Sequence, residues 1–219
     1  MQNLIHAKLV GTMVYCLIFA CSSSCNGQVK TNDCKEGYRS ANKELTTYYQ
    51  TRERNLLQAA MANAQHAMKC EETRRKAIDL KISLLALAKD YKHGYEFVDS
   101  LGQEDFSRKY KKGMHRNFFR ALEYESKADA NSARELYTQI IGAIEGSIGE
   151  GYSSAKSLDQ EAYYDLFFIK SRLLPQGQID AEIDELVRKH PADKDFLIAL
   201  KSSFSTASKE SVAVPNSQQ

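Results

Sequence analysis

Met114-His115-Arg116-Asn117-Phe118-Phe119-Arg120-Ala121-Leu122-Glu123-Tyr124 and, after a short polar break, Ala133-Arg134-Glu135-Leu136-Tyr137-Thr138-Gln139-Ile140-Ile141 decide the fold. Tyr110, Met114, Phe118, Ala121 and Leu122 recur at spacings of three and four, which puts them on one face of a helix. Ala133, Leu136, Tyr137, Ile140, Ile141 and Ile144 do the same on a second. Asp129 or Asn131 between them can accept an N–H at the start of the second helix. Two amphipathic helices joined by a few polar residues form an antiparallel hairpin, and neither can bury its apolar face alone.

The same reading extends in both directions. Downstream, Leu158–Leu173 carries Tyr163, Leu166, Phe167 and Ile169. Pro175-Gln176-Gly177 turns the chain, Ile179, Ile183, Leu186 and Val187 mark the next face, and a last helix spans Asp193–Phe204. Upstream, Ile78, Ile82, Leu85 and Tyr91 mark a face that His93-Gly94 is expected to stop, before a short helix at Tyr95–Leu101. Gly146, Gly149 and Gly151 are expected to end the helix that holds Ile144, with Gly142 serving close helix packing. Further upstream lie Ala41, Leu45 and Tyr48, then Leu57, Ala60, Ala64 and Ala67.

The 219 residues contain three prolines and no tryptophan, with a formal net charge of +2. Few helix breakers, many helix formers and no sustained alternation predict an all-α protein of about seven to nine helices. The near-balanced charge gives no electrostatic reason to expect nucleic acid as a partner.

Successive hairpins of this kind resemble the tetratricopeptide repeat (TPR) family. Ala121, Tyr124, Ala133 and Tyr137 fall at the small, tyrosine, small and aromatic places of that pattern. Leu84, Leu87, Ala88 and Tyr91 match a preceding unit, and Tyr163, Leu166, Ile179, Ile183 and Pro191 a following one. The spacing between units is irregular, so the resemblance implies stacked antiparallel helical hairpins over residues 35–204 rather than a regular array. It also implies that the first helix of each hairpin lines a groove for a partner protein. Position by position, those residues are Ile82, Leu85, Lys89 and Lys92, then His115, Phe118 and Leu122, then Glu161, Tyr164, Phe168 and Arg172.

The N-terminus speaks to location. Lys8 precedes an apolar run, Leu9–Ala20, and Ile18-Phe19-Ala20-Cys21 follows the pattern of a bacterial lipoprotein signal peptide. The run is too short to span a bilayer, which takes about 20 residues. Residues 1–20 are therefore expected to be a signal peptide, with Cys21 as the acylated residue; the alternatives are Cys25 as the lipid site and an ordinary signal peptide cut near Gly27. Residues 21–34 would be a flexible tether and 205–219 a disordered tail. The expected location is the cell envelope, at the periplasmic face of an outer membrane, reached through the lipid anchor.

Of the five cysteines, Cys16 leaves with the signal, and Cys25, Cys34 and Cys70 remain where disulfides persist. Cys34 and Cys70 flank a segment that reads either as a hairpin turning near Glu53-Arg54-Asn55 or as one unbroken helix. The hairpin brings the two sulfurs together; the single helix separates them by roughly 50 Å.

No arrangement of residues points to catalysis. His66, His93, His115 and His190 are scattered, the glycine cluster lacks the lysine of a phosphate loop, and Asp180, Glu182, Asp184 and Glu185 read as a solvated face. Arg108–Arg116 is the densest charge run, either a solvated helix side or a surface for anionic headgroups. No catalytic residue, metal or cofactor is expected. The function expected is protein binding, as an adaptor or assembly accessory of the envelope, with immunity against a cognate toxin as the alternative.

Overall fold

A computed structural model of the chain describes residues 31–151 and 157–210, with side chains over 32–149 and 157–204. The expected signal peptide, Cys21, Cys25 and most of the expected tether lie outside the described residues, as do residues 152–156 and 211–219. Among the described residues there are nine α-helices and no strand. They are α1 (Thr31–Thr51), α2 (Arg54–Ala67), α3 (Glu71–Leu87), α4 (Tyr91–Ser100), α5 (Lys111–Ser126), α6 (Ala130–Gly151), α7 (Gln160–Lys170), α8 (Gln176–Lys189) and α9 (Lys194–Glu210). Each helix from α1 to α6 packs on the next in sequence, and α8 packs on α9. The protein is all-α, built of packed hairpins in a manner compatible with a helical repeat.

The hairpin turns share one device. Arg52, Lys89 and Ala128 follow α1, α3 and α5 with φ of 61°, 57° and 60°. After α3, the Asp90 N–H donates to Leu85 O (3.0 Å) and the Lys89 N–H to Ala86 O (3.1 Å). After α5, Asp129 N–H donates to Tyr124 O (2.9 Å) and Ala128 N–H to Glu125 O (3.0 Å). These paired bonds close a helix end around one left-handed residue, the place usually held by glycine. Asp129 then caps α6, its Oδ1 accepting from the Ser132 N–H at 3.1 Å.

This geometry corrects several boundaries. The stop after α3 is at Ala88-Lys89-Asp90, and Gly94 lies inside α4, where its missing side chain leaves room for Phe119. Gly142, Gly146 and Gly149 lie within α6 with open space where a Cβ would stand, so they serve neither close packing nor a stop. Phe106–Tyr110 is a turn ahead of α5, not its first coils. α1 already begins at Thr31, within the expected tether, and α9 runs to Glu210, past the expected end at Phe204. No glycine or proline in 205–210 opposes that continuation.

The hairpin reading of α1 and α2 holds, with the break at Arg52-Glu53. Cys34 and Cys70 form a disulfide (S–S 2.05 Å, 36 residues apart), tying the start of α1 to the α2–α3 turn. Gly37 of α1 lets Asn63 and His66 of α2 come close: a Cβ there would stand 3.2 Å from Asn63 O.

The core has three parts. Ala41, Leu57, Ala60, Ala64, Leu80 and Leu84 join α1, α2 and α3. Ile78, Ile82, Leu85, Val98, Leu101, Phe106 and Phe119 form a second part, and Met114, Tyr137, Ile144, Phe167, Ile183 and Leu197 belong to a third. α5 supplies Phe119 to one part and Met114 and Ala121 to another, so it is the element through which the two halves are joined. Each such buried aromatic or aliphatic side chain contributes about 1.5–3 kcal/mol.

Candidate functional site

α5 presents Lys111, His115 and Phe118 at helical spacing, and α7 presents Glu161, Asp165 and Phe168 in the same rhythm, with Arg172 just past its end. The rings of Phe118 and Phe168 meet, centroids 5.4 Å apart, and Phe118 also lies 6.2 Å from Tyr137. These contacts bring α5 and α7 side by side along one face.

A polar cluster closes one end of that face. Tyr110 Oη donates to Asp165 Oδ2 at 2.8 Å. Lys111 Nζ lies 2.7 Å from Glu161 and 3.2 Å from Asp165. Arg108 pairs with Asp159 (2.9 Å) and Glu161 (3.3 Å), and Ser107 Oγ donates to Glu161 at 2.7 Å. Burial raises the Asp165 carboxyl above its ordinary range, against the pull of Lys111 and Tyr110. Burial also acts to raise Glu161, but hydrogen bonds from Lys111, Ser107 and Arg108 outweigh it and hold this carboxyl below its ordinary range. The Tyr110 hydroxyl is pushed up by burial and by Asp165, so it stays a proton donor. Lys111 is raised: burial opposes its charge, and Glu161 and Asp165 overcome that. It is held as an ammonium ion, which is unfit as a nucleophile.

Asp79 of α3 feels the same cluster. Desolvation raises its carboxyl, with Lys111 lowering it and Glu161 and Asp165 raising it further. Asp79, Asp159, Glu161 and Asp165 thus share this end of the face with Arg75, Arg108 and Lys111.

At the other end, Arg172 pairs with Glu125 (2.6 Å), and Tyr137 Oη donates to the second oxygen of Glu125 at 3.0 Å. His115 lies between the ends. Its ring is 6.0 Å from Phe106, and its buried Nε2 has no hydrogen-bond partner. Burial, with Lys111 next to it, lowers its pKa to about 4.

Of the expected groove residues, the structure brings His115, Phe118, Glu161, Phe168 and Arg172 onto this face. Tyr164 is 49% exposed on α7, its ring 6.0 Å from Phe204 of α9. Lys89 and Lys92 do not join them: Lys89 occupies the α3–α4 turn, and Lys92 lies on α4, 3.9 Å from Glu96. Ile82 and Leu85 are buried in the core. The charge run Arg108–Arg116 is largely committed within the chain, because Lys112 donates to Leu101 O and Arg116 pairs with Asp99 at 3.0 Å. Asp79 and Asp165 were not singled out from the sequence, and Tyr110 was read there only as part of an apolar helix face. The signal available was Asp165 inside the apolar run Tyr163–Ile169, four residues after Glu161.

Among the described residues, no group of His, Cys, Asp and Glu is arranged to hold a metal ion, and no helix is long and apolar enough to cross a membrane. Comparison with family models, with curated proteins and with solved structures returns no match. The class of protein is thus defined by the architecture itself: an all-α chain of packed helical hairpins.

Proposed function

We propose that this chain is a TPR-like protein-binding module of the bacterial cell envelope, held by a lipid on Cys21 at the periplasmic face of the outer membrane. It serves as an adaptor or assembly accessory. The partner lies along the face between α5 and α7, and the chain acts by binding rather than by catalysis.

One observation carries this reading. Phe168, packed on Phe118, is 37% exposed between charges already fixed by ion pairs, and Tyr164, one turn earlier on α7 with its ring near Phe204, is 49% exposed. Large, stiff aromatic rings next to a preorganised polar rim are what a binding hot spot is made of. The partner chemistry follows from the two ends. An apolar or aromatic side chain of the partner rests on Phe118 and Phe168, and a lysine or arginine reaches Asp79, exposed beside the buried Asp165 cluster.

In-cell crosslinking followed by pulldown tests it. A partner captured stoichiometrically by the wild type and lost in Phe168→Glu and Tyr164→Ala variants that keep their helical circular dichroism supports the reading. Capture that is indifferent to both variants overturns the placement of the groove. Membrane fractionation of Cys21→Ser tests the anchor: retention in the membrane fraction rules out lipidation at that residue.

A further inference from the structure

Three lysines among the described residues are partly drawn out of water, and two of them are neutralised twice over. Lys111, its side chain 13% exposed, lies against Glu161 and Asp165. Lys170, 16% exposed, lies 3.2 Å from Glu145 and 2.8 Å from Glu182. Lys81 of α3 is treated differently. Its Nζ stands 4.3 Å from the centre of the Phe97 ring and donates to Gln65 Oε1, both uncharged groups. Among the described residues no carboxylate forms an ion pair with it. Burial lowers its pKa, with no neighbouring carboxylate to restore it.

Lys81 forms part of the wall of an open cleft of about 570 Å³ between α2, α3 and α4. Met61 and Ala62 line it from α2, Leu85 from α3 and Phe97 from α4. Asp90, His93 and Glu96 line it as well. Asp90 is engaged by His93 at 2.8 Å, and Glu96 lies 3.9 Å from Lys92. The volume falls within the range of small-molecule sites, about 300–1,000 Å³. Two residues along a helix amount to about 200°, so Lys81 points away from the side of α3 that carries Asp79. The cleft and the α5–α7 face are separate surfaces.

A half-buried cation without a counter-ion costs free energy that an incoming anion removes, provided the anion arrives with matching apolar surface. We propose that this cleft binds a small apolar molecule bearing a single carboxylate. The hydrocarbon body lies against Met61, Leu85 and Phe97. The carboxylate accepts from Lys81 Nζ.

Decanoate is the probe, titrated calorimetrically into the purified folded protein at pH 7, with 1-decanol as its uncharged counterpart. The expected result is saturable one-to-one binding of decanoate, weakened at least tenfold in Lys81→Met and kept within threefold in Lys81→Arg. 1-Decanol should bind at least tenfold more weakly than decanoate. Ala62→Trp, at an exposed position on the cleft wall, should abolish binding without touching the lysine. Absence of saturable binding, equal affinity in Lys81→Met, equal affinity for decanol, or undiminished binding in Ala62→Trp would each overturn the proposal. None of these results depends on partner capture through α5 and α7, so the two readings fail separately.

Discussion

The Phe119 ring of α5 occupies the space that a Cβ on Gly94 of α4 would need, with its Cγ 2.7 Å from that position. Phe119 is fully buried, so it has no solvent to retreat into. In an open helix Gly→Ala gains about 1 kcal/mol. Here overpacking against a ring that cannot move costs about 1–3 kcal/mol and wins. Gly94→Ala should therefore lower the unfolding free energy, read from urea denaturation. In the Gly94→Ala/Phe119→Leu double variant the two losses should add to less than their sum, because the smaller side chain makes room for the methyl.

The turns at Lys89 and Ala128 predict gains. Each holds a non-glycine residue at φ near 60°, a conformation that costs an ordinary residue roughly 1–2 kcal/mol. Glycine removes that cost while giving back about 0.4–1 kcal/mol through the freer unfolded chain. Lys89→Gly and Ala128→Gly should each stabilise by about 0.5–1 kcal/mol, and by additive amounts, since the turns share no partner. Thermal melts of the single and double variants read this directly. A fall in Tm for both would mean that these backbones relax at no cost.

The same turns explain what the sequence could and could not disclose. α5, α6 and α7 were legible because Tyr110, Met114, Ile140, Ile144, Leu166 and Phe167 keep helical periodicity and are buried where that periodicity puts them. The α3–α4 boundary was not. Its left-handed residue is a lysine, and the nearest glycine serves a packing contact inside the next helix. With His93-Gly94 as the expected stop, Lys89 and Lys92 stayed on the first helix of their unit and were matched to the groove through the TPR resemblance, whereas the true stop puts one in a turn and the other on α4. Phe118 and Phe168 were matched to the groove through the resemblance to the TPR pattern, each from its place within a single helix. The cluster of Asp79, Tyr110, Lys111 and Asp165 draws on three segments far apart in sequence, and no local pattern relates them.

The disulfide predicts a conditional stability. Cys34 and Cys70 close a loop spanning 36 residues around the first hairpin. A cross-link of this span stabilises by about 2–4 kcal/mol, mainly by restricting the unfolded chain. α1 and α2 gain most, because much of their shared core is alanine (Ala41, Ala60 and Ala64) and each buries little apolar area. The Cys34→Ala/Cys70→Ala variant should melt lower than the wild type, and a reducing agent should shift the wild type alone. Hydrogen exchange should show the loss in α1 and α2 before it reaches α7 and α9. Equal melting with and without reductant would remove the bridge from the account of stability.

His115 predicts how the molecule responds to acid. Its folded pKa of about 4 lies below its ordinary 6.5, because the buried ring, with Lys111 near it, resists a second proton. Between those values the unfolded chain binds a proton that the folded chain refuses, so stability falls as pH drops from about 6.5 to about 4. The full loss is on the order of 3 kcal/mol. His115→Leu removes the titrating group together with a buried nitrogen that has no partner. At pH 7 the change should be neutral or mildly stabilising, since an unsatisfied buried polar atom is lost with it. At pH 5 the variant should be the more stable protein. Glu161 and Asp105, both held below their ordinary range, and Asp165, held above it, also titrate under acid, but they remain in the variant and drop out of the difference. Urea denaturation of both proteins from pH 7 to pH 4 isolates the histidine. A difference that does not grow as pH falls would place the His115 ring in contact with water.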